Sequence, residues 1–310
     1  MNNLRYSTQT ITKTDIKAVK KVLYSDWLTQ GPKALEFEKS LCKFTSSKYC
    51  VAVNSGSSAL LIACKSLNLS KNDYIWTVPN TFVATANSIL LSGQKIDFVD
   101  IDKNTFNLSI DLLEKKLKKA KKNNFLPKAI IIVHLAGLPA NPLRLKKLSK
   151  IYNFYIIEDA SHSLGAKYFN KKVGSCIWSD LCIFSFHPVK IITSGEGGCV
   201  TTNNKKFYER MLLYRNNGIE KNKRQFIKKN TGPWYYEQQS IGYNFRLNDI
   251  QAALGISQLK KINLFLKKRN KIAKFYKDNL KSLPLNFQLV GKNFYSSYHL
   301  FIIQINKNFK

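Results

Sequence analysis

The chain has little of what builds metal centres and crosslinks. Only four histidines occur in 310 residues, none spaced as a ligand pair, and the six cysteines (Cys42, Cys50, Cys64, Cys176, Cys182, Cys199) contain no CxxC pair. Metal binding therefore has no support in the sequence. Thiols set in apolar text such as Cys50-Val51-Ala52-Val53 are expected to be buried and free. Long apolar runs are also missing. The longest, Ala129–Leu135, is broken by His134 and is too short to span a bilayer. The first ten residues hold no apolar leader, so a soluble, cytoplasmic protein is expected. Acidic residues are scarce, 19 against 50 basic ones, giving a formal charge of +31. Such a charge raises nucleic acid as a partner. The lysines argue against it, because runs such as Lys115, Lys116, Lys118, Lys119, Lys121 and Lys122 fall on polar helix faces rather than in a basic tail interleaved with aromatics. Solvated faces are expected, with a field that draws in small anionic substrates.

What is present is a globular composition, 44% apolar and 12% aromatic, on a chain long enough for an enzyme core. Thr14-Asp15 caps a first helix with Ile16, Val19 and Leu23 at helical spacing, and a second helix carries Leu35, Leu41 and Phe44. Short apolar strands then alternate with helices. Strands are predicted at 50–53, 74–78, 95–99, 129–135, 154–158, 181–186 and 198–202, and helices near 57–67, 82–91, 109–122 and 142–152. This alternation predicts an α/β fold with a mostly parallel central sheet covered by helices on both faces. From about 203 the text is helical again, with Arg246–Leu264 and Leu266–Leu280 as the long segments. The last apolar run, Tyr298–Ile305, reads as a strand with no partner after it.

Ligands of such sheets collect at the carboxyl ends of the strands, and four of those ends carry suitable chemistry. After the first strand, Asn54-Ser55-Gly56-Ser57-Ser58 enters a helix through small hydroxyl residues. That arrangement either binds an anion on the helix amides or simply caps the helix. After the second, Pro79-Asn80-Thr81-Phe82 offers an aromatic that covers a flat ring or packs in the core. Glu158-Asp159-Ala160-Ser161-His162 puts Asp159 at a strand end, as a site carboxylate or a cap. Finally, Lys190 stands in the apolar stretch His187-Pro188-Val189-Lys190-Ile191-Ile192. Desolvation there would depress its pKa toward the neutral, nucleophilic amine. A phosphate site, a stacking aromatic, a carboxylate and an apolar lysine are the four things a pyridoxal phosphate ring requires.

Phe184-Ser185-Phe186-His187-Pro188-Val189-Lys190 with Gly195-Glu196-Gly197-Gly198, together with Glu158–His162 and the segment Gly242–Ala253, resembles the DegT/DnrJ/EryC1 family. These are fold type I, pyridoxal-phosphate-dependent enzymes acting on nucleotide-linked keto sugars. The resemblance implies that Lys190 joins the cofactor's aldehyde through its amine and that Asp159 meets the ring nitrogen. It places His162 near the ring hydroxyl and Phe82 on the ring face, with Gly56, Ser57, Ser58 and Ser185 on the phosphate. Asn244 would reach the phosphate of a neighbouring subunit, which implies a homodimer with shared active sites. Tyr6 and the loop Asp26, Trp27, Leu28, Thr29 would line the sugar-nucleotide pocket.

Within the family, Tyr6–Gln9, Leu28–Gly31, Gly232–Tyr236 and Tyr298–Leu300 look most like the 4-aminotransferases of pseudaminic acid synthesis. The implied reaction aminates C4 of a UDP-linked 4-keto-6-deoxy-N-acetyl-hexosamine with glutamate as donor. Members that remove a hydroxyl instead have histidine in place of the lysine, so Lys190 implies transamination. The resemblance divides the chain into a cofactor-binding domain, 1–260, and the start of a small C-terminal domain, 261–310. Relatives continue past the strand holding His299, and the expectation is a fragment or a lost domain with part of the sugar pocket missing. Two alternatives stay open: the same chemistry on another nucleotide keto sugar, and a non-catalytic protein that binds pyridoxal phosphate.

Overall fold

The computed structural model describes residues 7–228 and 231–305. Seven strands form the central sheet: β1 Tyr49–Val53, β2 Tyr74–Thr77, β3 Lys95–Phe98, β4 Pro127–Val133, β5 Tyr155–Asp159, β6 Leu181–Ser185 and β7 Gly198–Thr202. Their spatial order is β1-β7-β6-β5-β4-β2-β3. All contacts from β6 across to β3 are parallel. β7 alone runs the other way, antiparallel to both β6 and β1. Each strand predicted for this sheet is present within about two residues. The text gave no hint of the reversal in β7, because an apolar run buried on both faces carries no direction.

The helices are α1 Lys13–Leu23, α2 Pro32–Thr45, α3 Gly56–Ser66, α4 Val83–Ser92, α5 Ile110–Lys122, α6 Pro142–Tyr152, α7 Lys205–Arg215, α8 Asp249–Leu259 and α9 Ile262–Leu280. Alternate strand residues serve the two faces. Val51, Val53, Ile131, Ile157 and Ile183 pack against apolar residues of α3, α4 and α7. Ile130, Ile132 and Ile156 meet α5 and α6, while Cys50, Ala52, Cys182 and Phe184 meet α2 and α8. Burial on both faces explains why these strands read as unbroken apolar runs. α5 is the opposite case. It buries Ile110, Leu113, Leu117 and Ala120 and leaves its lysines at the solvent side.

Several boundaries differ from expectation: α1 is capped by Thr12 rather than by Thr14-Asp15, with Asp15 inside its first turn, and the break between the two long helices falls at Lys260 and Lys261 rather than at Phe265. The segment predicted as one helix from Arg246 begins only at Asp249, where Asn248 and Gln251 form a reciprocal capping box. The run Tyr298–Ile305 is not an unpaired strand: only Ile303–Ile305 is extended, and it pairs antiparallel with Leu285–Phe287. Residues 296–300 instead dock against the turn that follows β4, with Ser297 N donating to the Gly137 carbonyl at 3.0 Å and Leu300 N to the Ala136 carbonyl at 3.3 Å. Gly137 lies at φ 99°, and a Cβ there would sit 2.3 Å from the Ser297 hydroxyl, so this docking requires glycine. Among the described residues no helix is long and apolar enough to cross a membrane, and no cluster of His, Cys, Asp or Glu is suited to a metal. All the cysteines are free thiols, buried except for the half-buried Cys42.

Candidate active site

The carboxyl ends of β1, β2, β4, β5 and β6 converge on one cavity of about 740 Å³. It is lined by Gly56 and Ser57 after β1, Phe82 after β2, Leu135 after β4, Asp159 and His162 at the end of β5, and Ser185 and Lys190 after β6. This is where open α/β sheets gather ligands.

Asp159 is the last residue of β5 and is buried. Thr85 of α4 donates its hydroxyl to Oδ2 at 2.7 Å, and Ser161 donates its amide and hydroxyl to Oδ1 at 3.2 and 2.7 Å. These bonds fix the carboxylate, yet among the described residues no cation forms an ion pair with it. Lys190 follows β6 through a turn in which its amide donates to the His187 carbonyl at 2.9 Å. Burial holds the Lys190 amine below its ordinary value, and the nearby Asp159 carboxylate pulls the other way. A depressed lysine is a better nucleophile and a usable base near neutral pH.

His162 accepts the Ala136 amide at Nδ1, 3.3 Å away, which leaves its ring proton on Nε2. Burial, then Lys190, push the imidazole down to about 4, with Asp159 opposing. Its ring lies 4.3 Å from that of His299. Burial, His162, Lys190 and Arg269 push His299 down to about 2. Both rings are therefore neutral at pH 7 and serve as hydrogen-bonding groups rather than charges.

At the opposite end of the cavity, α3 begins directly after β1. The Ser55 hydroxyl caps it by accepting the Ser58 amide at 3.1 Å. The first-turn residues Gly56 and Ser57 line the cavity, and their amides have no carbonyl to bond within the helix. A Cβ on Gly56 would stand 2.9 Å from that of Ser185, so glycine lets the helix start close against the end of β6. The result is an anion cradle of helix amides and two hydroxyls. Ser58 does not join it. Its hydroxyl donates to Asn54 Oδ1 at 2.7 Å and lies 2.9 Å from the Ser55 hydroxyl, and the residue is 8% exposed and off the cavity wall. Phe82, the N-cap residue of α4, lines the rim and is 74% exposed.

Other expected site residues lie elsewhere. Asp26, Trp27, Leu28 and Thr29 form an exposed loop between α1 and α2, and Asn244 is exposed beside Asn216. None of them lines this cavity. Tyr6 lies outside the described residues. In turn, Thr85, Ser161, His299 and Leu300 belong to the site and had not been singled out for it. Ser161 and His299 stood inside segments already quoted, whereas Thr85 gave no signal beyond lying one turn after Phe82.

The sequence pattern of the DegT/DnrJ/EryC1/StrS aminotransferase family matches residues 9–310. The UDP-4-amino-4,6-dideoxy-N-acetyl-β-L-altrosamine transaminase of Campylobacter jejuni is 40% identical over 307 residues, covering 99% of this chain and 77% of that protein. Among solved structures, an aminotransferase of Helicobacter pylori involved in the biosynthesis of pseudaminic acid superposes with a TM-score of 0.88 at 38% identity, covering 98% of this chain and 78% of that one. A protein of Streptococcus pneumoniae described as a candidate sugar aminotransferase, solved in its PLP form, gives a TM-score of 0.86 at 28% identity over 98% of this chain and 79% of that one.

Proposed function

Because the chain belongs to the DegT/DnrJ/EryC1/StrS aminotransferase family, we propose that it moves an amino group from glutamate to C4 of a UDP-linked 4-keto-6-deoxy-N-acetyl-hexosamine. The product would enter pseudaminic acid or a related surface sugar. The observation that carries the reading is the meeting of Lys190, Asp159 and the Gly56–Ser57 helix start in one cavity of a chain so similar to the Campylobacter transaminase.

The enzyme's cofactor is pyridoxal 5′-phosphate. The cavity fits it group by group. The phosphate matches the first-turn amides of α3 and the hydroxyls of Ser57 and Ser185, and the ring nitrogen matches the uncompensated Asp159 carboxylate. The aldehyde matches Lys190, the ring hydroxyl matches the His162 Nε2 proton, and the ring face matches Phe82. When bound, the cofactor supplies an aldehyde that accepts the donor's nitrogen and a ring that withdraws electrons from the adjoining carbon.

The chain's own residues supply the rest. Lys190 Nζ, shifted by burial toward its neutral form, takes the donor's α proton and later returns one. Asp159 holds a proton on the ring nitrogen by placing a fixed carboxylate beside it. Thr85 and Ser161 keep that carboxylate oriented. Val133, Leu135 and Leu300 give the cavity apolar walls that limit water around the reacting carbon. Asn244 and the loop 26–29 lie away from this cavity and exposed, which supports a homodimer in which Asn244 completes the partner's site. The same reading takes residues 1–260 as the cofactor-binding domain and 261–310 as the start of a second unit.

The test is to incubate the cofactor-loaded protein with glutamate and a panel of UDP-4-keto-6-deoxy sugars and to identify the products by mass spectrometry and NMR. Amination at C4 is expected. Stable cofactor binding without amination of any member of the panel would overturn the reading and favour a non-catalytic cofactor-binding protein.

A further inference from the structure

A second cleft, of about 290 Å³, opens on Lys190 from the side of α9. Among the described residues, Lys190 is the one that lines both this cleft and the main cavity. The remaining wall comes from Thr8–Thr10, from the loop on either side of Lys190, from Gln258 of α8 and from Phe265, Lys268, Arg269 and Ile272 of α9. Two cationic side chains, Lys268 and Arg269, thus share the cleft with Lys190, with no carboxylate among the described lining residues.

Arg269 is half-buried, and its Nη1 donates to the carbonyls of Tyr298 and His299 at 3.1 and 3.0 Å. It has no ion-pair partner among the described residues, and neither has Lys268. Of the lysines nearby, Lys261 pairs with Asp15 and Lys274 with Asp278, whereas Lys267 and Lys271, like Lys268, form no ion pair among the described residues. A guanidinium has five N–H donors, and the two carbonyl bonds leave donors free in a fork that matches a carboxylate. Burial without an acid partner also depresses the Arg269 pKa, a cost that a bound anion would offset.

We propose that this cleft seats the side-chain carboxylate of a dicarboxylic amino donor, held by Arg269 and Lys268, with the donor's amino group directed to Lys190. The inference rests on the aminotransferase reading and adds the anchor that would select glutamate over monocarboxylic amino acids. The other anionic substrate of that reading is a UDP-sugar, and the experiment separates the two.

The experiment uses the full chain with and without cofactor. Without it, calorimetry compares 2-oxoglutarate, pyruvate and UDP as ligands. 2-Oxoglutarate is expected to bind about ten-fold tighter than pyruvate, the difference that one charge-assisted contact supplies. Arg269→Gln should remove that preference. Lys268→Gln, which leaves the carbonyl contacts of Arg269 in place, should reduce it several-fold, and neither should change UDP binding. With cofactor bound, the same variants should lower, several-fold, the ratio of the absorbance-change rate driven by glutamate to that driven by alanine. Wild-type preference in both variants, or a loss of UDP affinity in place of 2-oxoglutarate affinity, overturns the inference alone. A loaded wild-type protein whose spectrum no amino acid changes overturns the aminotransferase reading and this inference with it.

Discussion

Asp15, in the first turn of α1, is wholly buried and saturated. It accepts from the Thr12 amide and hydroxyl, the Ser257 hydroxyl, the Gln258 amide group and the Lys261 ammonium. Burial alone would raise its pKa, but Lys261, Ser257 and Thr12 outweigh that and hold it down at about 2. Asp159 is nearly as buried and lies near a lysine too, yet it receives only hydroxyls and an amide. Among the described residues nothing cationic is bound to it. The first carboxylate clamps the chain's start to α8 and α9, whereas the second is oriented and left with its charge uncompensated. Where the carboxylate's partner is already present the role is structural, and where it is missing the site awaits a ligand.

The two lysines give the sharpest way to break that comparison. Lys190→Ala should lower single-turnover transamination by roughly 10³-fold or more, since it removes both the cofactor's attachment and the proton carrier. Its urea midpoint should stay near wild type. Lys261→Ala should do the reverse, shifting the midpoint and leaving activity per folded molecule intact. Equal behaviour of the two variants in either assay would erase the distinction.

The aspartates themselves come next. Asp159→Asn should reduce turnover by roughly 10²- to 10⁴-fold, because a neutral amide no longer favours the protonated ring nitrogen. It should leave stability little changed, since shape and most contacts persist. Asp15→Ala should cost about 3 kcal/mol of stability, the typical effect of breaking a buried pair, and leave turnover of the folded fraction unaltered. Denaturant titrations set beside stopped-flow absorbance measurements would show both.

The same contrast explains what could be read in the sequence. Strands such as Ala129–Val133 and Leu181–Phe184 were legible because burial on both faces writes a continuous apolar run. Asp159 and Lys190 were legible because a charged residue at the end of such a run is out of place. Residues 298–300 misled, since the apolar run they begin looks like a strand. Their backbone is claimed instead by Ala136 and Arg269, contacts that join distant parts of the chain and leave no periodicity. The loop 26–29 and Asn244 could be matched only by resemblance, because the cavity of their own chain does not use them.

The two regions also titrate apart. His162 stays neutral in the fold down to about pH 4, while the unfolded imidazole takes a proton below about 6.5. Stability therefore falls as pH drops from 6.5 to 4, with His299 contributing in the same direction. Asp15 has the depressed pKa of a paired acid. Its contribution, about 2 kcal/mol, is complete above about pH 4 and is lost as pH falls toward 2. Urea midpoints at pH 7, 5 and 3 should show His162→Gln flattening the upper part of the decline and Asp15→Ala only the lower. A single shared window in both variants would contradict this division.

The smallest expected effect concerns two adjacent serines. Both stand at the start of α3, and either hydroxyl could be drawn onto a phosphate from the sequence alone. In the fold, Ser57 lines the cavity, whereas Ser58 gives its hydroxyl to Asn54 inside the cap. Ser57→Ala should weaken pyridoxal phosphate binding by about ten-fold or somewhat more, the effect of one hydrogen bond to a charged group. Ser58→Ala should leave cofactor affinity within about two-fold and cost about 1 kcal/mol of stability through the loosened cap. Equilibrium dialysis of the cofactor, run beside thermal melts, separates the two. If Ser58→Ala releases the cofactor as readily as Ser57→Ala, then the cradle depends on the whole first turn of the helix rather than on the hydroxyl that faces the cavity.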